Sequence, residues 1–109
     1  MGDSAGDFEK LLLLAVLRLG EDAYGAAIIE EVAGRTGREV SPGAAYVALR
    51  RLEDKGMLGS RTGEPTPERG GRAKRYYEVR TDGLAVLRSA RHDWEAMIEG
   101  LETLLESGS

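Results

Sequence analysis

Arg69, Arg72, Lys74 and Arg75 stand within seven residues that contain no acid, in a chain whose formal charge is −4. Cations gathered in this way make a local positive field that the net charge hides, and the chemistry open to them is the capture of phosphate. Other chemistry is poorly supplied. There is no cysteine, and the single histidine, His92, leaves an imidazole metal centre without its second ligand. Asp93, Glu95, Glu99, Glu102 and Glu106 fall off the apolar positions of the C-terminal segment, so they read as a solvated face and not as paired catalytic acids. Gly70-Gly71-Arg72 lacks the Gly-Lys-Ser/Thr ending of a P-loop. Neither an enzyme nor a cofactor is expected, and His92 is assigned no role.

The charge is divided by region. Residues 1–57 hold 7 basic and 10 acidic side chains, residues 58–80 hold 6 and 3, and residues 81–109 hold 2 and 6. Only the middle segment is basic. The chain of 109 residues, 41% hydrophobic and 31% charged, has the length and composition of one globular domain. Its longest apolar stretch, Leu11 to Leu17, is far short of the roughly 20 residues a membrane helix needs. Asp3, Asp7 and Glu9 ahead of it do not suit a signal peptide. A cytoplasmic protein with no membrane partner is expected.

The basic segment must be held by the elements around it. Phe8 to Leu19 reads as a helix apolar over nearly its whole circumference, which requires burial on two sides. Asp22 is the expected N-cap of a second helix reaching about Thr36, closed by Gly34 and Gly37. Ser41-Pro42 supplies a cap and a first-turn proline for a third helix to about Lys55. Its inner face is Ala45, Ala48, Leu49 and Leu52, and its other side carries Gly43, Tyr46, Val47 and Arg50. Leu58–Thr62 and Arg75–Val79 have strand composition and bracket a Pro- and Gly-containing run, the pattern of a hairpin with a long basic tip. A fourth helix is expected from Thr81 or Asp82 to about Glu106, with Leu87, Ala90, Trp94, Met97, Leu101 and Leu104 forming a heptad seam.

This order predicts a mainly α fold with one small β-hairpin: a winged helix-turn-helix over residues 1–80 and one long C-terminal dimerisation helix over residues 81–109. In a winged helix the third helix enters the major groove of double-stranded DNA and the wing follows the phosphates. Small Gly43 and Ala44 keep the end of that helix slim, beside Ser41, Pro42 and Val47. Arg50 is suited to a guanine edge or a phosphate, and Arg69, Arg72, Lys74, Arg75 and Tyr76 to the backbone. Tyr46 has two readings, a hydroxyl donor to phosphate or an aromatic packed on the second helix. Arg51 is expected to pair with Glu30 or Glu31. The rival function is a winged-helix protein-interaction module without DNA binding, which has no need of four clustered cations.

Tyr24-Gly25, the stretch Ser41 to Glu53 with Gly56 after it, and Gly70-Gly71-Arg72-Ala73-Lys74-Arg75-Tyr76-Tyr77 resemble the signature of PadR-like transcriptional regulators. The likeness spans about residues 8 to 106 and suits the short subclass with a single terminal helix. It implies a homodimeric repressor on an inverted-repeat operator, released by a small molecule that is often planar and aromatic. The chain departs from the pattern at Ala44-Ala45, where the family usually has Thr then Leu, so operator sequence does not transfer. The family's threonine after the wing falls on Arg80, which shifts the expected start of the fourth helix by one residue.

The seam is longer than a three-helix core can cover, so a second copy of the chain is expected against it. Leu12 and Val16 of the first helix are expected at that interface with Leu87, Ala90, Trp94, Met97, Ile98, Leu101 and Leu104. Trp94, the only tryptophan, stands at mid-seam. It is either interface core or, with its mate, a platform for a flat hydrophobic effector flanked by Phe8, Leu12 and Met97.

Overall fold

Four consecutive leucines, Leu11 to Leu14, leave the first helix no wholly polar side, and α1 (Asp7–Leu19) is the element that the others pack around. The structure is a computed structural model and describes residues 5–65 and 73–106. Leu12, Leu13, Ala15 and Val16 are buried on one side of α1, while Leu14 and Leu17 remain 45% and 46% exposed. Leu12 and Val16 therefore belong to the subunit's own core and not, as expected, to an interface. They share that core with Ile28, Val32, Leu49, Leu52, Met57 and Tyr77.

The second helix starts later than its sequence suggests. Gly20–Asp22 forms a 3₁₀ turn, and α2 (Gly25–Thr36) begins only after Tyr24, whose backbone is extended. The cause lies in the sheet: the Tyr77 N–H donates to the Ala23 carbonyl at 2.8 Å, and Tyr24 makes a β-bridge with Tyr76. Backbone committed to a strand partner cannot also cap a helix from Asp22. The third helix follows expectation. In α3 (Pro42–Asp54) the Ser41 hydroxyl accepts from the Ala44 N–H at 3.3 Å, with Pro42 in the first turn.

Two strands, β1 (Leu58–Pro65) and β2 (Ala73–Val79), pair antiparallel from Leu58 opposite Val79 to Thr62 opposite Arg75, with an irregularity before Pro65. They form the wing, with β1 three residues and β2 two residues longer at the inner end than composition indicates.

The long C-terminal helix is α4 (Thr81–Ile98), with Arg80 extended in the cap position. Continuation to Glu106 does not occur. Gly100 adopts φ +88°, its N–H donates to the Glu102 carboxylate at 2.9 Å, and a short helix, α5 (Glu102–Glu106), follows. Glycine enters the left-handed region without a Cβ clash and is worth about 1 kcal/mol less than alanine inside a helix, so the break falls there. Leu101 and Leu104 thus leave the axis of α4, and the heptad seam is continuous only as far as Met97. Among the described residues no helix is long and apolar enough to cross a membrane.

Candidate nucleic-acid interface

Burying Ala45, Ala48, Leu49 and Leu52 turns the opposite stripe of α3 outward. Gly43, Tyr46, Val47 and Arg50, at helical spacings of three and four, are exposed along it, and Ser41, Pro42 and Ala44 are exposed at its start. Tyr46 packs against the second helix and is also partly open to solvent. Its ring lies over Gly25, where an added Cβ would come within 2.5 Å of a ring carbon, yet 48% of the residue stays open.

Beside this stripe the wing carries an alternation of cations and rings. The Lys74 ammonium stands 4.0 Å from the centre of the Tyr24 ring, Tyr24 meets Tyr76 edge-on at 5.8 Å, and the Arg61 guanidinium lies 4.7 Å above Tyr76. Tyr76 is half-buried between these partners and serves the packing of the wing, not the open surface expected for it. Lys74 is exposed on its edge. Arg69 and Arg72 lie outside the described residues. Arg61 and Tyr24 were not singled out for this cluster from sequence; the pairing of Arg61 with Tyr76 across the hairpin is readable only once the register is known.

Arg75 departs from expectation in another way. Its guanidinium donates to the Glu53 carboxylate at 3.1 Å and to the Ser60 hydroxyl at 3.0 Å, and Ser60 donates to Glu53 at 2.6 Å. The charge expected to follow DNA is answered within the chain. Glu31 is likewise occupied by Arg18 at 3.1 Å and Arg35 at 2.6 Å, so Arg51 has no partner there; its charge instead acts on Glu9. Glu9 is a buried carboxylate on α1. Burial pushes its pKa up, but the Gly6 N–H at 2.9 Å and the Lys55 ammonium at 3.1 Å outweigh that and hold it below the usual carboxylate range.

On the far side of α1 an open groove of about 620 Å³ separates it from α4. Leu11, Leu14 and Leu17 form one wall, Leu84, Leu87 and Trp94 the other, and Lys10, Arg88 and Arg91 stand at its edge. Trp94 is 62% exposed. Of the four residues expected around a flat ligand, Trp94 alone lines this groove. Leu12 is fully buried, Met97 projects beyond the groove, and Phe8 borders a separate depression beside Gly43 and Val47. The three-residue spacing of Leu11, Leu14 and Leu17 was the available sign that these, and not Leu12 and Val16, form the outer face. Among the described residues, no three His, Cys, Asp or Glu side chains group as a metal site.

The model of the transcriptional regulator PadR-like family matches residues 13–89, from α1 through the wing into α4. Among solved structures, a PadR family transcription regulator from Clostridium difficile R20291 is 22% identical, with 90% of this chain and 98% of that chain covered and a TM-score of 0.70. One from Eggerthella lenta DSM 2243 is 31% identical, covering 91% and 84%, with a TM-score of 0.65. A PadR-like regulator from Bacillus cereus ATCC 14579 is 20% identical, covering 94% and 93%, with a TM-score of 0.68. No curated protein matches the chain. With its winged helix in place and the family match running over most of its length, the chain belongs to the PadR-like family of DNA-binding transcriptional regulators.

Proposed function

We propose that the chain is a homodimeric, cytoplasmic repressor that binds an inverted-repeat operator and is released by a small planar hydrophobic compound. The observation that carries this reading is the pairing of two surfaces in one small fold. A slender, exposed α3 stripe stands next to a cationic wing, and an apolar groove between α1 and α4 is left open in the single chain.

Residues 1–80 meet DNA in this account, and residues 81–109 hold the dimer. Gly43, Ala44, Val47 and Arg50 face base edges, with Ser41, Pro42 and Tyr46 at the phosphates and Lys74, Arg69 and Arg72 along the backbone. Leu14 and Leu17 join Leu87, Ala90, Trp94, Met97 and Ile98 at the subunit contact, with Leu101 and Leu104 added from beyond Gly100. A twofold axis there sets two α3 helices about 34 Å apart, one turn of DNA. A flat ligand enters the groove beside Trp94, where stacking on the indole and the leucine walls favours it over water. The repressor sense and the release by ligand follow from the family resemblance.

The test is fluorescence anisotropy on the inverted repeat upstream of the protein's own gene, with sedimentation in parallel. Nanomolar affinity that falls steeply with salt is expected, since each phosphate contact releases counterions. Planar aromatic compounds are expected to quench Trp94 and weaken that binding together. A chain that sediments as a single subunit, or ignores duplex DNA at low ionic strength while capturing a protein partner, favours the interaction module instead.

A further inference from the structure

Glu53 is out of place electrostatically. It stands in the last turn of α3, beside the one basic segment of the chain, where a carboxylate repels approaching phosphate. Its side chain is only 23% exposed and closes a triangle across three elements: Glu53 on α3, Ser60 on β1 and Arg75 on β2, with contacts of 2.6, 3.0 and 3.1 Å. We propose that Glu53, with Ser60, is a positioning residue for DNA binding, clamping Arg75 so that the wing is held at a set angle to α3. This rests on the reading that α3 and the wing meet one duplex together.

The need for such a clamp follows from the build of the wing. A two-stranded ribbon is marginal by itself and twists freely. Here one edge is tied at Ala23 and Tyr24, and the link from α3 into β1 is the short stretch Lys55 to Met57. Leu58 and Tyr77 pack the base of the ribbon into the core beside Leu49 and Leu52, and the Glu53 carboxylate, bonded to both strands, is the polar tie that fixes the angle of the ribbon to the exposed stripe of α3. A charged, multiply bonded pair is also more directional than an apolar contact. Lys74, one residue from Arg75, is carried with it to the position where phosphate is met.

Two mechanisms predict opposite signs. If Arg75 were a phosphate ligand and Glu53 merely its competitor, Glu53→Gln would free a cation, remove an anion and tighten binding. If Glu53 positions the wing, the same substitution loosens it and weakens binding. The measurement is anisotropy of the full chain with a fluorescein-labelled duplex of mixed sequence, about 30 bp, across a salt series. Glu53→Gln is expected to bind about three- to tenfold more weakly, with the slope of log affinity against log salt reduced by about one phosphate contact. In a Lys74→Ala background it should add little, because the contact it positions is already gone.

Tighter or unchanged binding overturns the clamp, as does weaker binding with the parent's salt slope. Should Glu53→Gln lose its cooperative unfolding transition, Ser60→Ala and Arg75→Lys, which keep both charges, are expected to lower affinity and slope in the same way, and parental values in both overturn the proposal. A parent chain that ignores the duplex at low ionic strength overturns the DNA-facing reading and the clamp together, which separates that failure from the clamp's own.

Discussion

The α3–wing face and the α1–α4 groove differ in what holds their side chains in place. On the first, Tyr46 rests on Gly25, Lys74 on Tyr24, Tyr76 between Tyr24 and Arg61, and Arg75 on Glu53 and Ser60. That surface is arranged before anything binds. On the second, Leu14, Leu17 and Trp94 are 45%, 46% and 62% exposed and face one another across open space. Polar groups that must meet a charged ligand at defined positions profit from internal partners, whereas an apolar trough gains its stability only when something covers it.

The largest effect is expected where the cover is removed. Leu14→Glu with Leu17→Glu forfeits about 1.5–3 kcal/mol of burial per leucine and adds charges to a dry contact, so the proposed dimer should dissociate at least about a thousandfold more readily. Sedimentation velocity reads this directly, and affinity for an inverted repeat should fall toward that of one half-site. A double variant that sediments as the parent does would show that the groove is not where two copies meet.

A smaller effect is expected from within the arranged face. Gly25→Ala places a methyl 2.5 Å from the Tyr46 ring, and overpacking of this kind costs about 1–3 kcal/mol in urea unfolding. Tyr46→Ala in the same chain should recover most of that loss. If Gly25→Ala is as stable as the parent, Tyr46 swings aside freely and the face is less preorganised than its contacts indicate. Lys74→Ala, which loses one exposed cation on a ring, should weaken DNA binding about three- to tenfold and lower the salt slope by about 0.9, with stability changed by less than about 1 kcal/mol.

The two regions were also unequally legible in the sequence. The exposed stripe of α3 is readable because period, cap and proline all agree over Ser41 to Asp54, and local rules decide it. The groove is half legible: the spacing gives the seam Leu87, Ala90, Trp94, but the choice between Leu12 and Leu14 on α1 depends on which of two apolar faces the core takes, and four leucines in a row hide that. Long-range pairing was least visible. That Ala23 and Tyr24 join the sheet, delaying α2, and that Arg75, though exposed, is bonded to Glu53, are set by residues 22 to 54 positions away. The break at Gly100 was within reach, since a glycine in a heptad pattern is a known weak point, yet the seam's regular spacing through Leu104 argued for continuation.

α1 is the element the two regions share, and the Glu9–Lys55 contact ties its start to the end of α3. Because the folded state holds the Glu9 carboxyl below its ordinary value of 4.5, this tie stabilises the fold above that pH and is lost as pH falls through the lowered value. Glu9→Gln removes the pH-dependent part, so the variant should be less stable than the parent at neutral pH and should converge with it as pH falls through the lowered value. Urea midpoints at several pH values provide the check. A constant gap at every pH would mean that Glu9 acts through its shape and the Gly6 bond alone. A gap that closes in acid would show that the helix carrying the groove's leucines is fastened to the end of α3 by charge.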